Sequence, residues 1–237
     1  MRSLKRLWRK QKVKLILLNK QLLALLLLMN CFLGLVAQDS NSTYQQRIEF
    51  VQHQRPLLKA IFVKKERELA TSLMLTRVLK DSIFPAWYGT PWDFNGISNK
   101  PKKGKIACGY FVSTTLKHVG FNLNRYKVAQ QAAAVIIDEI CGKTFVTKFH
   151  NADSMKAYVL KQPEGLYVLG LDFHVGFILH EKGKVFFIHS DYFNGKVVRE
   201  PALNAQALTG SGGFVLGKLS GNTALMNKWL NQTRIYK

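Results

Sequence analysis

The chain reads as an α+β protein, with helices first and an antiparallel sheet after them. Two observations carry that reading. Apolar residues recur at helical spacing between 44 and 82, and again after Cys108. From Gly165 the period changes to two, through GLYVLGLDFHVGFILHEKGKVFFIHSDYFNGKVVRE. The 237 residues, 47% of them apolar, suffice for one domain with a substantial core and extra segments.

The first segment, residues 1–37, is a leader. Eight basic residues fall in the first 20 positions, and no acidic residue precedes Asp39. An apolar run of 15 residues follows, Leu22 to Val36, broken only by Asn30, with the small Ala37 after it. That pattern is a secretory signal or a retained N-terminal membrane anchor, with membrane association through residues 15–36. Either way the rest is exported, to the periplasm or cell envelope. The net charge of +21 falls to +13 without the leader, and no long Lys/Arg block remains. An exported chain of that kind speaks against nucleic acid as the partner.

Residues 38–82 form a helical N-terminal segment, with a break expected at Pro56. Residues 83–107 hold Trp87, Tyr88, Trp92 and Phe94 among prolines and glycines, which marks a structured loop. The helix opening at Cys108 follows. Residues 126–140 read as one helix ended by Gly142. Residues 144–149 suit a strand and 153–161 a short helix. Beyond Gly165 come two or three strands, with turns at Lys182-Gly183 and Asn194-Gly195. Short helices at 202–208 and 223–232 flank a last strand, Phe214–Leu216.

The hairpin carries the chemistry. With Lys182-Gly183 as its turn, Glu181 faces Lys184, Ile178 faces Phe187, Gly176 faces His189 and His174 faces Asp191. His174, Gly176, His189 and Asp191 then share one face, and Phe173, Val175, Phe177 and Leu179 the other. A thiolate nucleophile needs an imidazole to take its proton, and the imidazole needs a group to hold its other nitrogen. Cys108 at a helix N-terminus offers the nucleophile, with the dipole expected to lower its pKa. His174 offers the base, and His189 or Asp191 the orienter. His180 shares the face but lies at the turn end. His53, His118, His150 and Cys141 have no partner pattern. The spacing lacks C-x-x-C or H-x-x-x-H, so neither metal nor cofactor is expected. A Cys108–Cys141 disulfide and a non-catalytic binding role remain alternatives.

Five stretches resemble the NlpC-type papain-like cysteine peptidases that cut cell-wall peptides: GTPWDFNG (89–96), ACGYFV (107–112), RYKVAQQA (125–132), HVGFIL (174–179) and FFIHS (186–190). The resemblance covers residues 83–192 and implies a papain-like catalytic domain over 83–237, its Cys helix against an antiparallel sheet. It implies Cys108 as nucleophile, His174 as base and His189 as the residue orienting it. The implied activity is cleavage of a peptide or amide bond in peptidoglycan stem peptides, or acyl transfer by the same thiol. The sequence departs from the family at three places. Trp92 stands where the family carries a tyrosine whose hydroxyl helps hold the oxyanion, so Trp92 or Tyr88 is the expected donor. Gly109 replaces the serine after the nucleophile, and Tyr110 the glycine that follows.

Overall fold

The computed structural model describes residues 43–235. Residues 1–42, with the membrane contact expected at 15–36, lie outside the described residues. Among them, no helix is long and apolar enough to cross a membrane.

The helices are α1 Tyr44–Lys59, α2 Lys64–Val78, α3 Phe84–Trp87, α4 Cys108–His118, α5 Arg125–Ala129, α6 Ala133–Cys141, α7 Ala152–Leu160, α8 Gln206–Thr209 and α9 Thr223–Asn231. The strands are β1 Val146–Phe149, β2 Gly165–Gly170, β3 Val175–Glu181, β4 Lys184–Asp191, β5 Lys196–Pro201 and β6 Phe214–Lys218. They form one antiparallel sheet in the order β1-β6-β2-β3-β4-β5. The α+β class is as expected. The period-two stretch holds four consecutive strands rather than two or three, and β6 returns to fill the place between β1 and β2.

Pro56 lies inside α1, and the chain breaks instead at residues 60–63. The boundary drawn at 82 falls inside continuous helix, because a π-helical turn, Leu79–Ile83, carries α2 into α3. The N-terminal helices are part of the same core: Val51, Met74, Val78 and Phe84 pack with Phe111, Phe177 and Leu179. The 126–140 stretch is two helices. Val128 must pack near α4 while Ile136, Ile137 and Ile140 face the sheet. Those positions are about a third of a turn out of phase on one straight helix, so the chain kinks at Gln130–Ala132.

Helices cover both faces of the sheet. α1, α2, α4, α6 and α9 lie over Val168, Val175, Phe177, Leu179 and Ile188. On the other face, α7 and α8 pack with Tyr167, Leu169, Ile178, Phe187 and Leu216. The histidine face is therefore not a polar surface, since Ile178 and Phe187 on it are fully buried. Phe173 does not join the apolar face. It sits in the turn before β3, where Leu171 N–H donates to the His174 carbonyl (2.8 Å), and is 95% exposed.

Candidate active site

The Lys182-Gly183 turn sets the register. Both residues are left-handed (φ 52° and 67°), and the ladder runs from Glu181↔Lys184 to Phe177↔Ile188 as the spacing requires. Beyond Phe177↔Ile188 the β3–β4 pairing stops. The segment before α4 enters at that opening. Ser190 Oγ donates to the Ile106 carbonyl (2.6 Å), and Val175 N–H donates to the Cys108 sulfur. Cys108 thus begins its helix between two strands that have parted.

The GTPW segment holds this entry from the other side. Ile106 N–H donates to the Pro91 carbonyl (2.9 Å) and Ala107 N–H to the Gly96 carbonyl (2.8 Å). Gly89 and Trp92 N–H groups reach the Val197 and Gly195 carbonyls (2.9 and 2.8 Å). A Cβ on Gly96 would stand 2.6 Å from the Ile106 nitrogen, so only glycine permits that approach.

Cys108 is half-buried and free, as is the buried Cys141, so no disulfide joins them. Burial pushes the Cys108 thiol up, and the N–H groups of Val175, Gly109 and Cys108 only partly offset it. This corrects the expectation that the helix N-terminus leaves a low pKa: desolvation of the thiolate outweighs the dipole and the N–H donors. The resting sulfur is a thiol.

His174 and His189 come together as the spacing implied. His174 Nε2 lies 2.8 Å from His189 Nδ1, with rings edge to face. Both are buried, which lowers their pKa values; Asp191 partly offsets this at His174, while at His189 the neighbouring His174 adds to it. Gly176 gives them room: a Cβ there would stand 2.7 Å from His189 Cβ. His189 Nε2 in turn meets Glu200 Oε1 at 2.9 Å. With its Nε2 engaged, His174 has Nδ1 left as its second ring nitrogen.

Asp191 is not the orienter. Its carboxylate accepts from Phe193 N–H (3.0 Å), Asn194 N–H (3.0 Å) and Asn194 Nδ2 (2.6 Å), which caps the β4–β5 turn. His189, Asp191 and Glu200 place ligand-type atoms within 4.8 Å of one another. Both His189 nitrogens are already hydrogen-bonded within the protein, so we do not read the group as a metal centre.

Tyr88 does not reach the thiol. Its hydroxyl feels burial first, then the charges of Arg199, Asp81 and Glu181 at the turn end of the hairpin. Trp92 contributes through another ring: it packs on Tyr192 (centroids 6.1 Å), which packs edge-on against His174 (5.4 Å). The Tyr192 hydroxyl is close enough to Cys108 for a thiolate there to raise its pKa, after burial and Asp191. His118 is structural, linking α4 to Tyr44 (2.8 Å) and Asn99 (3.2 Å).

Gly109 has a steric reason. A Cβ there would lie 2.5 Å from the Ala129 carbonyl oxygen at the end of α5. Gly109→Ser, which restores the residue of the resembled family, is expected to cost about 1–3 kcal/mol, read as a lower urea midpoint.

Glu200 and Tyr192 were missed from sequence. A signal for Glu200 existed: closing the turn at Asp191↔Lys196 puts Val198 opposite His189 and Glu200 two residues along on the same face. Tyr192 lies in the turn itself, where no period applies.

Comparison with known family models, curated proteins and solved structures finds no match.

Proposed function

We propose that the protein is a papain-like thiol hydrolase that cleaves a peptide or amide bond. The observation that carries this is the chain Glu200–His189–His174, which ends at the residue before Val175, whose N–H donates to the Cys108 sulfur. The resemblance of residues 83–192 supports peptidoglycan stem peptides as the substrate class. The leader supports an exported, envelope-associated protein, and the net charge of +13 beyond it suits an anionic wall polymer.

The steps follow from the groups present. His174 Nδ1 takes the thiol proton as sulfur bonds to the scissile carbonyl carbon. The carbonyl oxygen gains negative charge and is met by the Cys108 backbone N–H, with the Tyr192 hydroxyl or Trp92 indole as second donor. The C–N bond breaks, and the proton on His174 leaves with the amine. Water, deprotonated by His174, then cleaves the thioester and returns the thiol.

Burial shapes the first step. Thiol and imidazole both resist charge alone, so proton transfer is favourable only as an ion pair stabilised by the surrounding N–H groups. Cys108→Ala is expected to abolish release of peptide from purified peptidoglycan fragments, followed by mass spectrometry. Full activity in that variant defeats the proposal.

A further inference from the structure

We propose that Glu200 is a positioning residue whose ionised carboxylate dictates which ring nitrogens of His189 and His174 carry protons, and so decides whether Cys108 has a base. The inference rests on the thiol-hydrolase reading and deepens it.

An ionised carboxylate can only accept hydrogen bonds. Glu200 Oε1 at 2.9 Å therefore requires a proton on His189 Nε2. A neutral His189 then presents a lone pair at Nδ1. The 2.8 Å contact to His174 must in turn be donated by His174 Nε2–H. A neutral His174 is left with its lone pair at Nδ1, the nitrogen that serves the thiol. One carboxylate fixes two tautomers in series.

Burial makes the logic strict. His189 is fully buried and His174 nearly so, so each ring is held neutral with one proton. With one proton per ring, the chain has only two hydrogen-bonded directions. If Glu200 is protonated, its O–H donates to His189 Nε2, His189 Nδ1–H donates to His174 Nε2, and the His174 proton sits on Nδ1. That ring cannot accept the thiol proton. The two states differ by one solvent proton, carried on Glu200; each ring keeps one proton and changes only which nitrogen holds it.

The other charges near the chain are few. Asp191 bears on both His174 and Glu200, and Lys196 stands opposite Asp191 in the ladder. Arg199 turns to the other face of β5, over Phe186 and against Glu181 (3.0 Å). From the α4 side Cys108 accepts from the N–H of Val175, the residue after His174, and from the turn Tyr192 packs edge-on against His174. Burial and then Asp191 push the Glu200 carboxyl above its ordinary range, so the productive direction is gained as pH rises through that raised value and lost below it.

Long-range proton–nitrogen spectra of the full chain with labelled histidine test this directly, because they report which ring nitrogen is protonated. At about pH 7.5, well above the carboxyl range, both His174 and His189 are expected to show protonated Nε2 and bare Nδ1. Glu200→Leu should remove that preference and slow iodoacetamide labelling of Cys108 about tenfold, the worth of one hydrogen bond to a charged group. Glu200→Gln has no titrating proton, and its amide can either accept from or donate to His189 Nε2. It should weaken the Nε2–H preference and abolish the acid-side fall in labelling that wild type shows as Glu200 protonates. Protonated Nδ1 on His174 in wild type, or ring spectra unchanged at low pH, overturns the proposal. The spectra do not depend on a reactive thiol. If labelling proves independent of His174 while the Nε2–H pattern follows Glu200, the thiol-hydrolase reading fails and the tautomer assignment stands.

Discussion

His174→Ala is expected to slow labelling of Cys108 by iodoacetamide near neutral pH by roughly 10²-fold, the lower range for loss of a general base. Burial holds the Cys108 thiol up, so the wild-type rate is expected to depend on a neighbour that takes the proton. Asp191 cannot substitute, because its oxygens are spent on the Phe193 and Asn194 donors. His189 cannot either, because it stands behind His174 in the chain. Cys141 supplies an internal control. It is 1% exposed and its pKa is pushed far up by burial, so it should label only on unfolding. Peptide mass mapping separates the two sites. An unchanged Cys108 rate in a variant with an unchanged urea midpoint removes His174 from the base role.

Gly176→Ala should be among the most damaging single-methyl changes in the sheet. The added carbon would meet His189 Cβ and Phe187 Cε2 at 2.7 Å and the Ile188 carbonyl at 2.9 Å. One of these is backbone and another is a ring stacked on its neighbour, so β3 or β4 must shift. The expected cost is about 2–3 kcal/mol in urea unfolding. The same shift separates His174 from His189, so Cys108 labelling should fall with stability. Gly183→Ala is the contrast. Nothing lies within 4 Å there, and only φ of 67° is strained. It should cost about 1 kcal/mol and leave labelling unchanged. Equal effects at the two glycines would contradict the close β3–β4 packing.

Much of this site was legible before any fold was known. The Lys182-Gly183 turn with alternation around it placed His174 and His189 on one face, and the ladder from Glu181↔Lys184 to Phe177↔Ile188 has that register. Helix α4 begins at Cys108, where the apolar period begins. The Gly176 vacancy beside the imidazoles was readable too. These features follow from rules acting over a few residues: side-chain alternation, turn dihedrals and helix period.

Other features depended on segments far apart in sequence. The parting of β3 and β4 comes from Ile106 and Cys108 entering between them, about 70–80 residues upstream. Tyr88 and Trp92, four residues apart, meet different groups, Tyr88 the charges of Arg199, Asp81 and Glu181 and Trp92 the ring of Tyr192. The thiol pKa turned on the same packing, since a helix dipole is a local property and desolvation is not. Glu200 entered through a third strand whose register depended on a four-residue turn held by Asp191. Helix period placed Cys108 at a helix start, and alternation and turn geometry put the histidine pair on one face, because these are written in neighbouring residues. The charge state of the thiol, the direction of the proton chain and its carboxylate end were decided only in the folded molecule, where burial and contacts between distant segments set them.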